Sequence, residues 1–163
     1  MSRDKNIGTA WVEEDFGIKI LKNGTWLHQG RPIMRHNLVK LFATVLKKDE
    51  NGDYWLQTPV ERGRIEVEDV PFLAVEMRQE TSGHGKNLLF RTNLDEWVTA
   101  DAAHPLRFAD APYVTVRQNL EARLTRAVYY ELMHLACKNP AGSGHWGVTS
   151  AGVFFPVPAD AAE

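Results

Sequence analysis

The sequence predicts an α+β protein, and three observations carry that reading. Strand-length apolar runs separated by Pro, Gly, Asn and Asp recur along most of the chain. Only two stretches keep the 3.6-residue apolar period of a helix. The chain has 163 residues, 44% of them apolar, with five Trp and seven Phe, which is enough for the core of one domain or of two small, closely associated ones.

In chain order, "IKILKNGTWLH" (18–28) reads as a hairpin in which Asn23-Gly24 supplies the positive φ angles of a tight turn. "GRP" breaks the chain. "NLVKLFATVLKK" (37–48) reads as the first helix, because Leu38, Leu41, Phe42, Val45 and Leu46 recur at i, i+3, i+4, i+7 and i+8. Asn37 is the expected N-cap, and Lys47 and Lys48 suit the negative end of the helix dipole. After the polar turn "DENGD" come seven strand-like runs: "YWLQT", "GRIEVED", "FLAVEMRQ", "NLLFRTN", "EWVTA", "LRFAD" and "YVTVRQ". "LEARLTRAVYYELMHLAC" (120–137) reads as the second helix, with Asn119 as its N-cap and Leu120, Leu124, Val128, Leu132 and Leu135 as its core stripe. "GVFFPV" is the closing strand.

Seven strands followed by a helix is the order of a pleckstrin-homology-like barrel. The expected organisation is therefore an N-terminal hairpin–helix module, residues 1–52, joined to a pleckstrin-homology-like C-terminal part, residues 53–163. A repeat cuts across it. "RHNL" (35–38) opens one helix and "RQNL" (117–120) the other, and the Trp-x-x-Thr segments "WLQT" and "WGVT" follow them. This suggests a duplicated strand–helix–strand motif in which Asn37 and Asn119 are equivalent caps.

The net charge of −2 hides a segregation. Residues 16–48 hold seven Lys and Arg and no acid, whereas residues 49–83 hold nine acids and three Arg. These blocks either neutralise one another internally, which is the preferred reading, or form an anion-binding face. The slight negative charge and the pI near 6.3 argue against binding nucleic acid through the whole surface. No apolar run approaches the roughly 20 residues of a membrane span. "MSRDKNIGTAWVEED" has no apolar signal core, so a cytoplasmic location is expected. A single cysteine excludes an intrachain disulfide, and its place at the end of the second helical pattern suggests a buried, inert thiol.

The motifs "YWLQTPVE", "RIEVEDVPF", "RTN", "HPLRF" and "PYVTVR", in that order and spacing, carry a family resemblance. From about residue 16 to residue 157 the chain resembles the bacterial domain-of-unknown-function 1285 family (DUF1285). The resemblance implies a repeated α+β motif, a pleckstrin-homology-like C-terminal part and a role in signal transduction, with a nucleotide-like ligand between the two parts. It implies no catalytic residues.

The densest group of chemistry-bearing residues is "TPVERGRIEVEDVPFLAVE" (58–76), with Glu61, Glu66, Glu68, Asp69 and Glu76 beside Arg62 and Arg64. Ile65 and Val67 alternate with Arg64, Glu66 and Glu68, as on a half-buried strand. A metal needs converging oxygens, and a strand face spreads alternate residues roughly 7 Å apart. "SGHGKN" (82–87) lacks the spacing of a phosphate loop, and the six histidines form no metal-binding pair. No metal or cofactor is expected.

Arg35 and Arg117 each precede an expected helix N-terminus by two residues, where N–H groups and a guanidinium together suit an anion or an internal carboxylate. Arg91 and Asn93 at the end of an apolar strand, Arg64 on the charged face and His104 before Pro105 complete the candidate ligand-binding set. His104 also reads as a turn-capping residue. The leading expectation is a non-catalytic regulatory or sensor protein that binds a small anion, such as a nucleotide, between its two modules. The alternatives are an adaptor that contacts a regulatory protein through charged strand faces, and a hydrolase using Glu61 or Glu66 with His104.

The strand reading has a direct consequence. Glu66→Gln and Glu68→Gln should change stability by only about ±0.5 kcal/mol, whereas Ile65→Ala and Val67→Ala should each cost about 2 kcal/mol or more. Urea melts of the four variants test which face is buried.

Overall fold

The structure is a computed structural model that describes residues 12–83 and 85–158. It is built mostly of strands with two short helices, so the α+β reading holds at that level. The chain divides into two compact units at Val70–Pro71. The first unit contains β1 (Val12–Ile20), β2 (Trp26–His28), β3 (Arg31–Pro32), α1 (His36–Ala43), β4 (Leu46–Lys48), β5 (Tyr54–Gln57) and β6 (Glu61–Val67). Its sheet runs β3-β2-β1-β6-β5-β4. The expected boundary at residue 52 falls inside this sheet, because β5 and β6 pair with the strands on either side of them.

The second unit contains β7 (Phe72–Ser82), β8 (Gly85–Thr92), β9 (Trp97–Thr99), β10 (Leu106–Phe108), β11 (Pro112–Arg117), β12 (Leu120–Leu124), α2 (Arg126–Met133), β13 (Cys137–Lys138), β14 (Trp146–Ser150) and β15 (Val153–Pro156). Its larger sheet runs β10-β11-β12-β7-β8-β9, and its smaller one β13-β14-β15. Pairing is antiparallel except at β1–β6 and β7–β12, which are parallel.

Both helices are shorter than their apolar periods suggest. α1 stops at Ala43, where the Thr44 hydroxyl donates to the Leu41 carbonyl and the Val45 N–H to the Phe42 carbonyl. Leu46 is fully buried as a strand residue opposite Leu56, so Lys47 and Lys48 lie on β4. At the second helix, Leu120, Ala122 and Leu124 are all buried at alternate positions, which is a strand pattern that also satisfies a four-residue leucine spacing. α2 begins after Thr125, whose hydroxyl accepts the Val128 N–H at 3.3 Å. Asn119 instead sits in the β11–β12 turn beside Gln118 (φ 51°). Asn37 is the second residue of α1, whose N-cap is Arg35 without a side-chain cap bond.

"RHNL" and "RQNL" are therefore not equivalent. What the units do share is an order of elements: a tight hairpin, an eight-residue helix, then a short strand and two further strands joined by hairpins. Cys137 is exposed at the start of β13, because α2 has ended before it. In the first hairpin only Gly24 (φ 88°) takes the left-handed conformation, while Asn23 accepts the Thr25 N–H.

The 58–76 stretch resolves as the strand reading requires. On β6, Gly63 and Ile65 are buried and Arg64 and Glu66 are exposed, whereas Val67, expected inside with Ile65, is half-buried at the strand's end. Glu68 is tied more firmly than a solvated face residue, since it accepts the Lys22 backbone N–H at 2.8 Å and lies 3.9 Å from the Lys19 ammonium. Gly63 also makes room for a neighbour: a Cβ there would overlap the Phe16 ring. Gly63→Ala should destabilise the protein by about 2 kcal/mol through overpacking, and Phe16→Leu should relieve part of that loss. Denaturant melts of the single and double variants measure the coupling.

Candidate functional site

The expected site residues come first. Arg64 lies 3.0 Å from Asp53 and stacks over the Trp55 ring. Arg91 donates to Glu76 at 2.8 Å and to Asp95 at 3.2 Å. Arg117 lies 3.4 Å from Glu96 and over Phe72. His104 Nδ1 is 2.9 Å from the Asp101 carboxylate in its own turn, which matches its turn-capping reading. Asn93 stitches β8 to β7: its side-chain oxygen accepts the Leu73 N–H and its own N–H donates to the Leu73 carbonyl. Arg35 is exposed at the start of α1. Each of the arginines at 64, 91 and 117 thus has a carboxylate of its own unit as neighbour. The charge blocks touch through Lys19–Glu68, but Arg62 and Arg64 draw on Asp49 and Asp53 within the acidic block itself.

These ion pairs leave marks on titration. The Trp55 indole N–H, donated to Asp49, holds that carboxyl below its usual range against the effect of burial, with help from the Asp53 and Asn51 N–H groups and from Arg62. Glu76 is lowered by the hydrogen bond from Arg91, which is itself raised by that bond. At Asp101, burial pushes the carboxyl up, but the hydrogen bonds from His104 and Ala103 outweigh it and the net direction is down.

A concave site exists elsewhere, in the N-terminal unit. The β2–β3 hairpin closes on Gln29-Gly30, both at positive φ, the pairing that a two-residue type I′ turn requires. That turn places His28 directly opposite Arg31. The Gln29 N–H donates to the Gly17 carbonyl, which fixes the hairpin to β1 where the β1–β6 register slips. The Ile33 N–H then donates to Trp26, and the chain turns into α1. On α1, Val39 and Ala43 are buried, while Leu38 and Phe42, one turn apart, face a groove of about 720 Å³.

Ile18, Pro32 and Ile33 supply the rest of the apolar lining, and His28, Gln29 and Arg31 supply polar groups. Ile18, Ile20, Trp26 and His28 share one sheet face by register. Trp26 stacks on Phe42 at 6.5 Å, and its buried indole N–H has no hydrogen-bond partner among the described residues. Met34 and Leu41, next to lining residues in sequence, are 86% and 62% exposed.

Such a groove can hold a ligand with an apolar body and an anionic or hydrogen-bonding end. None of its residues stood among the expected site residues. Its signals in sequence were the acid-free segment and the Leu38/Phe42 pair, which there reads as core. Among the described residues no group of three or more His, Cys, Asp or Glu could hold a metal ion, and no helix is long and apolar enough to cross a membrane.

Asp101 provides a pH test. Its folded value lies below its unfolded one, so its contribution is present at neutral pH and is lost as pH falls through the folded value. Asp101→Asn should lower the melting temperature at pH 7, and the gap to wild type should narrow progressively as pH falls below about 4. Thermal melts across that range give the readout.

Two domain families match the chain. The DUF1285 N-terminal domain, described as a domain of unknown function, covers residues 10–70. The DUF1285 C-terminal domain, described as a protein of unknown function, covers residues 71–157. Their junction coincides with the division between the two units. A DUF1285 family protein from Silicibacter pomeroyi DSS-3 is similar over 92% of this chain and 84% of its own, with 36% identity and a TM-score of 0.83. Another, from Shewanella baltica OS155, is similar over 72% of this chain and 91% of its own, with 28% identity and a TM-score of 0.62. No curated protein matches. With both domains present in order over most of its length, the chain belongs to the DUF1285 family.

Proposed function

We propose that this DUF1285 protein is a non-catalytic regulatory or sensor protein of bacterial signal transduction whose N-terminal unit binds a small anionic, nucleotide-like ligand. The observation that supports this reading is the groove beside α1, with apolar walls from Ile18, Ile33, Leu38 and Phe42 and with His28 and Arg31 opposite one another on its hairpin wall. A flat ring packs against Phe42 and Leu38, while the guanidinium fork of Arg31 takes a phosphate or carboxylate in a bidentate way. The acid-free stretch 16–48 keeps the local potential positive. This assignment replaces Arg64, Arg91, His104 and Arg117, which face carboxylates, with Arg31 and His28 as the anion-binding groups.

The adaptor reading has one observation of its own. Met34 and Leu41 are exposed next to the lining residues Ile33 and Phe42, and they would extend the apolar surface for a regulatory protein. A thermal-shift screen separates the two. A ligand at a hundredfold over its dissociation constant stabilises the fold by about 2.7 kcal/mol. Nucleotides or other ring-bearing small anions should therefore raise the melting temperature, and Arg31→Ala should abolish the shift without altering the unliganded melt. A screen with no hit, or a hit indifferent to Arg31→Ala, rules out this site.

A further inference from the structure

The β7–β8 hairpin reaches well beyond the sheet that holds its base. β7 pairs with β12 only from Phe72 to Ala74, and a bulge at Val75 ends that contact. From Arg78 to Ser82 every residue of β7 is exposed, so the cover that α2 gives β7 stops short of the arm. The far side of the hairpin is occupied: the Ala151 N–H donates to the Lys86 carbonyl, the Ala100 N–H to the Leu88 carbonyl, and the Leu88 N–H to the Ser150 hydroxyl. The outer edge of β7 has no strand beside it among the described residues.

Register fixes which groups that edge presents. Lys86 and Leu88 turn their backbone groups to the far side, so their pairs with Thr81 and Gln79 are the non-hydrogen-bonded ones of the hairpin. The pairs then alternate, so Glu80–Asn87, Arg78–Leu89 and Glu76–Arg91 use their backbone groups within the hairpin. Met77, Gln79 and Thr81 therefore point their N–H and C=O groups outward.

We propose that this edge is a self-association site, at which two copies of the chain pair antiparallel through β7 about a two-fold axis at Gln79. In that register Gln79 faces Gln79 of the second copy and Met77 faces Thr81 on either side, which allows about six backbone hydrogen bonds. Arg78 falls opposite Glu80 of the second copy, and Glu80 opposite its Arg78. These are non-hydrogen-bonded pairs, where side chains approach most closely. In the single chain Arg78 bonds to Glu76 and lies over Trp97, on the β9 side of the hairpin, so pairing with Glu80 of the second copy draws its guanidinium back toward the edge. An axis at Arg78 or at Glu80 would instead set like charges face to face. Charges on an open edge normally discourage strand addition, and here they discourage every partner except one with the complementary alternation, which a second copy supplies.

Sedimentation equilibrium of the full chain, from micromolar to millimolar concentration, tests this. Wild type should form dimers. Glu80→Arg should weaken them about tenfold by opposing two arginines, and the double swap R78E/E80R should restore them. Gln79→Pro removes an N–H that the hairpin does not use, so it should give a folded monomer by circular dichroism. A wild-type monomer at all concentrations overturns the proposal, as does a dimer indifferent to both Glu80→Arg and Gln79→Pro. Loss in Glu80→Arg with no recovery in a folded double swap overturns the register.

Discussion

Each unit is closed by one parallel strand pair, and the other contacts are arranged around it. In the first unit β1 meets β6, so that the Lys22 N–H reaches a carboxylate 46 residues away, at Glu68. In the second, β7 meets β12, with Phe72 opposite Ala122. The antiparallel pairs are mostly hairpins joined by short turns, which close cheaply. A parallel pair needs a long excursion before it forms, and its loop-closure cost comes before its contacts exist. Burial offsets that cost: Ile18, Ile20 and Ile65 around one seam, and Phe72, Ala74, Ala122 and Leu124 along the other, are nearly inaccessible.

The antiparallel ladders carry the chemistry of the outer faces. On the first sheet Trp55 is 7% exposed although it shares its face with charged residues. It is covered by Arg62 at 3.7 Å and Arg64 at 4.7 Å, and its indole N–H is taken by Asp49 at 2.8 Å. The second sheet repeats the arrangement with Arg78 over Trp97, and with Arg107 over Tyr113 while bonded twice to Glu121. A guanidinium on an aromatic ring keeps its edge free for carboxylates, so ring, cation and acid form one layer. The many arginines and acids of these strands are thereby spent on cover, which is why the groove of the N-terminal unit, and not the charge-rich stretch 58–76, offers room for a ligand.

The groove owes its existence to a packing mismatch. α1 is only eight residues long, and its buried contact is made by Val39 and Ala43. Leu38 and Phe42 project past that contact toward the β2–β3 hairpin, where the Gln29-Gly30 turn holds the chain in a sharp bend. A longer helix, of the kind the sequence period suggests, would have carried Val45 and Leu46 onto the same face.

The sequence by itself determined the inventory of elements and their faces. Alternation placed Ile65 inside and Glu66 outside, Asn-Gly marked the first hairpin, and the runs from "YWLQT" to "YVTVRQ" became β5 to β11, because strand faces and turns are local properties. The motifs also identified the family. The helix boundaries were not legible, because Leu46 and Leu120 satisfy helical and strand spacings at once, and only their partners Leu56 and Arg117 settle which period applies. The division at Val70–Pro71 depended on β6 returning to β1, a pairing with no local signal. The carboxylate partners of the expected anion-binding arginines were not legible for the same reason. An arginine in a sequence carries no record of its partner, and the tertiary structure gave Arg64, Arg91 and Arg117 to Asp53, Glu76 and Glu96 while leaving His28 and Arg31 on the wall of a groove.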